Sequence, residues 1–217
     1  MIEGVQKMHE PLRPDLDEKT GARREGNYSE SIRFRGILSN EEETIMADTL
    51  TILKTRRSCR AYKPEHIEDE KLKAIVEAGT YAATGMGKQS PIILVIKDQE
   101  VYNTLKKLNA AAMGMDIDPF YGAPDLLVVL ANKDIPTYIY DGSLVMGNLM
   151  NAAADLGVAS CWIHRAKEEF ESEEGKAILK KLGIEGNYEG IGNLILGYAE
   201  KPAAAAAPRK ADYVYYV

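Results

Sequence analysis

Three arginines and a serine fall within five positions in the segment Thr55-Arg-Arg-Ser-Cys-Arg-Ala-Tyr62. A guanidinium offers a planar fork of donors that matches a phosphate dianion, and a serine hydroxyl can add a short bond to the same anion. In an extended stretch alternate residues face one way, so Arg56, Ser58 and Arg60 can line a single surface, with Arg57 beside them. That arrangement suits a long anionic ligand. A solvated basic turn accounts for the same residues, and the segment alone does not choose between the two.

A second candidate is Ala83-Thr-Gly-Met-Gly-Lys-Gln-Ser-Pro91, where glycines stand beside a lysine. A P-loop needs an earlier glycine where Ala82 stands and a hydroxyl residue where Gln89 stands. A dinucleotide fingerprint needs a third glycine in place of Ser90, and it should follow a strand rather than a helix. Neither fits, and the plain reading is a helix-to-strand connection. His9, His66 and His164 have no metal-binding spacing, so no metal site is expected. His164 sits at a strand end before Arg165, where ligands often lie, although a structural histidine is the commoner occupant. Cys161, beside Trp162, reads as an inert core thiol.

The elements that must position these residues follow from periodicity. Leu72, Ile75, Val76 and Gly79 recur at helical spacing behind Glu68, Asp69 and Glu70, whose charges favour a helix start. Pro91 to Ile96 reads as a strand. Asp98 caps a helix whose apolar face is Val101, Leu105, Leu108 and Ala112. Ala123 to Ala131 is a second strand. Tyr138 to Leu156, apolar on nearly every face, is a central helix stopped by Gly157. Val158 to Ile163 and Ile191 to Tyr198 supply two more strands, and between them Ser172 caps a helix ending at Leu182-Gly183. After Gly197 an alanine-rich linker leads into a β-prone terminus, Tyr213 to Val217. Helices of unequal length between strands indicate mixed α+β rather than regular βαβ units.

Residues 1 to 45 break every attempt at periodicity and read as a poorly structured arm, with a compact domain over 46–217. At 217 residues and 45% hydrophobic composition, the chain can bury a sizeable core. The net charge of −6 argues against non-specific binding to nucleic acid or anionic membrane. The first residues lack an apolar leader core, and the longest apolar run, Leu126 to Ala131, is far too short to span a bilayer. The two cysteines form no CxxC, so a reducing cytoplasm is the expected setting.

Taken in order, these segments resemble the FMN-dependent nitroreductase family from about Asp48 to Val217. Arg56-Arg-Ser-Cys-Arg-Ala-Tyr62 is similar to the family's RRSxRxF segment, and Ala83 to Pro91 lies where it has S-G-x-N-x-Q-P. Leu149 to Ile163 resembles its central helix and following strand, Ile195-Leu-Gly-Tyr198 its closing strand, and Pro208-Arg-Lys210 its basic tail. Gly87 stands where many relatives have Asn, Ala207 where a lysine is common, and His164 where a glycine is frequent.

The resemblance implies an α+β sandwich with a mainly antiparallel sheet flanked by helices, and a homodimer whose subunits exchange C-terminal strands and form two FMN sites. By motif position Arg56, Arg57, Ser58 and Arg209, with Lys210 beside it, hold the phosphate. Arg60 faces N1 and the C2 carbonyl, Gln89 contacts the ring, and the backbone at Ile163 and His164 faces N5 and O4. The implied activity is ping-pong transfer of electrons from NAD(P)H through FMN to an electron-poor acceptor such as a nitroaromatic or a quinone. The flavin does the chemistry, so no residue is assigned as a catalytic acid or base. A flavin store or redox sensor without turnover, a reductive dehalogenase and other specialised flavoenzymes of the same scaffold stay open, since fold does not choose among them.

Overall fold

The computed structural model describes residues 49–217. The expected arm over residues 1–45 lies outside them. Ten regular elements follow in chain order: α1 (Thr49–Thr55), α2 (Asp69–Thr80), β1 (Pro91–Ile96), α3 (Gln99–Met113), β2 (Asp125–Asn132), α4 (Tyr138–Asp155), β3 (Ala159–Ile163), α5 (Ala166–Glu171), α6 (Glu173–Lys181) and β4 (Tyr188–Gly197). The strands form one sheet in the order β1-β2-β4-β3, and every pairing is antiparallel. The α+β class is therefore observed, with helices on both faces.

The two inner strands carry the core, and the pleat divides it. On β2, Leu126, Val128 and Leu130 join Leu105, Phe120, Phe170 and Ile195 on one face, while Leu127, Val129 and Ala131 meet Ile75, Met146, Leu149 and Leu194 on the other. Because β2 is covered on both sides, it is a continuous apolar run rather than an alternating one. Truncating a fully buried residue such as Leu149 to Ala costs about 2 to 5 kcal/mol. Among the described residues no helix is long and apolar enough to cross a membrane.

Local signals work as expected at the caps. Asp98 accepts from the amides of Glu100 and Val101 at 2.8 and 3.3 Å, and Ser172 Oγ accepts from Gly175 N at 3.0 Å. One expectation is corrected. The buried stripe of α3 is Tyr102, Leu105 and Asn109, with Val101 and Leu108 only half-buried, because Asn109 is compensated by hydrogen bonds inside the core. The central helix α4 buries Asp141, Gly142, Val145, Met146, Leu149 and Ala153 and leaves Ile139, Tyr140 and Leu144 exposed in the single chain. Tyr213 does not begin a strand within this chain, since Ala211–Tyr213 forms a 3-10 turn and Val214 to Val217 extend from it exposed. A strand there would need a neighbour from elsewhere.

Candidate functional site

The arginine segment leaves α1 and threads between the ends of two strands. Ser58 bridges Ser160 of β3 in parallel, with Cys59 N donating to the Ser160 carbonyl at 3.0 Å. Four residues after Ser58, Tyr62 bridges Ala199 beyond β4, and Lys63 N donates to the Tyr198 carbonyl at 2.8 Å. Backbone pairing at both ends thus holds residues 58–63 extended. They run along one wall of a cavity of about 790 Å³, a size within the range of cofactor sites.

Arg56, Arg57, Ser58 and Arg60 all line this cavity, together with Ser160 and Lys201. The two neighbouring arginines differ. Arg57 Nη1 donates to the carbonyls of Lys54 and Arg56 at 3.0 and 2.6 Å, so its guanidinium also closes the C-terminal end of α1. Arg56 Nη1 is buried and, among the described residues, has no hydrogen-bond partner; Ser160 Oγ, in the same wall, is in the same condition. A buried donor without a partner is costly. Four cationic side chains, with the hydroxyls of Ser58 and Ser160, around one cavity fit a phosphate group.

Ile163 and His164 stand at the far end of β3. With about 3.3 Å per strand residue, His164 lies roughly 13 Å along the strand from Ser160, the reach of an elongated ligand rather than of a phosphate alone. The corner after β3 is tight: Arg165 takes a left-handed conformation (φ 78°). The His164 carbonyl accepts from Asn109 Nδ2 at 2.7 Å.

The structure does not gather every expected residue. Gln89, with φ 48°, lines a separate cavity of about 320 Å³ and donates its backbone N–H to Thr84 Oγ1 at 3.1 Å. Arg209 folds its guanidinium onto the Ala207 carbonyl, with Nη2 2.7 Å away, and Lys210 Nζ lies 5.6 Å from the centre of the Tyr213 ring. Within one chain neither tail residue joins the Arg56 cluster. Cys161 is buried, and burial pushes its thiol above its ordinary value, in keeping with an inert core residue.

Three features escaped sequence reasoning. Lys201 and Ser160 join the cavity only through the fold; the sole hint for Ser160 was a small polar residue in an apolar strand. Asp141, buried on the first turn of α4, accepts from Gly85 N at 2.9 Å, Ser90 Oγ at 2.8 Å and Thr137 Oγ1 at 3.1 Å, and so anchors the Gly85–Gly87 loop. Gly85 approaches so closely that a Cβ there would lie 2.2 Å from Thr137 Oγ1. The third feature, Glu169, lies buried on α5 between Asn109 and Asn193.

Comparison with known proteins bears on this site. Residues 53–118, which include the arginine segment, match the model of the Nitroreductase family. A protein of Archaeoglobus fulgidus with the provisional name NADH dehydrogenase/NAD(P)H nitroreductase is 31% identical over 158 residues, covering 70% of this chain and 86% of its own. Among solved structures, an FMN-bound nitroreductase of Bacteroides fragilis superposes with a TM-score of 0.70 at 29% identity, over 79% of this chain and 99% of that one. An FMN-bound nitroreductase of Desulfitobacterium hafniense gives 0.70 at 28%, over 80% and 100%.

Proposed function

The chain belongs to the nitroreductase family, and on that premise we propose that it is an oxidoreductase that holds FMN along the Arg56 cluster and β3 and passes electrons from NAD(P)H to an electron-poor acceptor, a nitroaromatic or a quinone. The observation that carries the reading is the convergence of Arg56, Arg57, Arg60 and Lys201 with the hydroxyl residues Ser58 and Ser160 on one cavity, a set of donors that suits a flavin phosphate. FMN when bound supplies the two-electron chemistry.

The chain's own residues bind and orient. Arg56, Arg57 and Ser58 hold the phosphate, and Lys201 adds a fourth cation to the same cavity. Arg60 supplies a fixed positive charge that favours the electron-rich reduced ring. Backbone groups at Ile163 and His164 meet the polar edge of the ring, and no side chain is required as an acid.

The protein acts as a homodimer. Leu50 and Leu53 on α1 and Ile139, Tyr140 and Leu144 on α4 are exposed apolar residues on two helices that pack together, the composition of an interface rather than of a solvated surface. Tyr213 to Val217, equally exposed, would pair with the partner, bringing Arg209 and Lys210 to the partner's phosphate.

The test is direct. Purified protein is denatured, the released flavin is identified by chromatography, and the native protein is mixed anaerobically with NADH or NADPH and then with an acceptor. One FMN per chain, bleaching by a pyridine nucleotide and recovery with a nitroaromatic or quinone are expected. Release of FAD or of no flavin overturns the proposal, and flavin that no pyridine nucleotide bleaches marks a store or sensor instead.

A further inference from the structure

Behind the β3–α5 corner, three helical and strand residues meet out of contact with solvent. Glu169 on α5, Asn109 on α3 and Asn193 on β4 are all fully buried. Both amides point their Nδ2 at the same carboxyl oxygen: Asn193 reaches Glu169 Oε1 at 2.7 Å, and Asn109 makes a shorter contact with it while also donating to the His164 carbonyl. The donors therefore converge on one oxygen. The acceptors are left over, since among the described residues Glu169 Oε2, Asn109 Oδ1 and Asn193 Oδ1 have no partner.

A carboxylate would leave this cluster with three orphaned acceptors and a buried charge. A neutral acid changes the count, because its O–H becomes the donor the cluster lacks and removes the charge. We infer that Glu169 stands as a neutral carboxylic acid between Asn109 and Asn193, and that this relay is a positioning device that holds the His164 carbonyl and the corner behind it.

Among the described residues no counter-charge opposes this state. On α3, Lys106 lies 4.0 Å from Asp118 and Lys107 is exposed; on β4, Glu189 is held by Lys133 and Lys167 at 3.7 and 3.2 Å. On α6, Glu173 pairs with Lys176 at 2.8 Å, Lys181 lies 3.9 Å from Asp98, and Glu174 and Lys180 are exposed; on β2, Asp125 pairs with His66 at 3.0 Å. At the head of α5 the His164 ring is exposed and Arg165 is half-buried, while Lys167 approaches Glu171 at 3.9 Å. Glu168, the neighbour whose charge does act on Glu169, is negative and disfavours ionisation further.

Burial pushes the Glu169 carboxyl up to about 8, against the partial relief from the two asparagines. The sign of the consequence follows. Between the ordinary value of 4.5 and about 8 the folded chain keeps a proton that the unfolded chain has lost. This contribution to stability is therefore full below about pH 4.5, declines as pH rises and is gone above about pH 8. Above it, the charged group strains a corner already carrying the left-handed Arg165.

The relay itself involves no ligand; its bearing on flavin rests on the placing of Ile163 and His164 proposed above. The test uses the purified full chain and Glu169→Gln, whose amide carries a donor and an acceptor without titrating. Infrared difference spectra between the two proteins at about pH 7 should show a buried carboxylic-acid stretch in the wild type. Protection of the amides of residues 163–166 against hydrogen exchange should fall about tenfold or more between roughly pH 6 and pH 9 in the wild type and less than about twofold in Glu169→Gln. Absence of the acid stretch overturns the neutral state, and equal loss of protection in both proteins overturns the positioning role. Both readouts are independent of flavin, so a chain that bound no FMN yet passed them would refute the proposed function and leave the relay standing.

Discussion

Ser90 Oγ donates to Asp141 Oδ2 at 2.8 Å and so ties the residue before β1 to the first turn of α4. The same carboxyl also takes the Gly85 amide and the Thr137 hydroxyl. One buried side chain thereby secures a loop whose Met86 and Gln89 both sit at positive φ. Asp141→Ala strands these donors and should cost about 2 to 4 kcal/mol in urea unfolding, with Asp141→Asn losing roughly half as much. Wild-type stability in Asp141→Ala would mean that the loop holds its shape without the anchor.

The two adjacent arginines should separate by phenotype. Arg56→Ala removes a charge whose Nη1 has no hydrogen-bond partner among the described residues, so FMN affinity should fall roughly 10- to 150-fold while the flavin-free protein melts nearly as before. Arg57→Ala should weaken FMN and also lower the melting temperature, because it uncaps α1. Flavin fluorescence titration and thermal melts of the apoprotein read the two effects, and identical behaviour of both variants would erase the distinction.

Arg60→Ala tests the electrostatic role rather than grip. Losing a charge-assisted contact of ~1.5 to 3 kcal/mol lowers the two-electron potential by roughly 30 to 65 mV. Arg60→Lys should recover part of the drop in a dye-equilibrated titration. An unchanged potential at full FMN occupancy would remove Arg60 from the ring.

Cys161 should resist alkylation in the folded protein near neutral pH, since burial both blocks it and keeps its thiol protonated. Peptide mass spectrometry after a timed iodoacetamide pulse should find label on Cys59 first and on Cys161 only in denaturant. Comparable native labelling of the two would show that the core opens readily around β3.

Deletion of Ala211 to Val217 should weaken the dimer and lose FMN together, because the tail is proposed to be at once a partner's strand and the carrier of the neighbouring Arg209 and Lys210. Sedimentation and flavin absorbance measure the two losses. A truncated protein that stays dimeric with full flavin would leave the tail without a role.

The sequence by itself determined what local chemistry can specify. Asp98 and Ser172 start helices because a short oxygen-bearing side chain reaches free amides two or three residues on, and nothing distant is needed. The apolar stretch Ala123 to Ala131 read as a strand, and Arg56, Arg57, Ser58 and Arg60 marked a candidate anion site beside the plainer reading of a solvated basic turn. Tertiary structure alone decided the rest. Ser160 and Lys201 reach the cavity only because the segment after α1 pairs with β3 and with the end of β4, contacts between residues about 100 or more positions apart. Asn109 interrupts the expected face of α3 because its burial is repaid by Glu169 and the His164 carbonyl, partners that no periodicity in α3 can reveal. Ile139, Tyr140 and Leu144 on α4 stay exposed among the described residues although the helix is apolar in sequence, an outcome that periodicity alone does not reveal. Caps and strand character are properties of neighbours in sequence, whereas buried polar groups are settled by whichever distant group satisfies them.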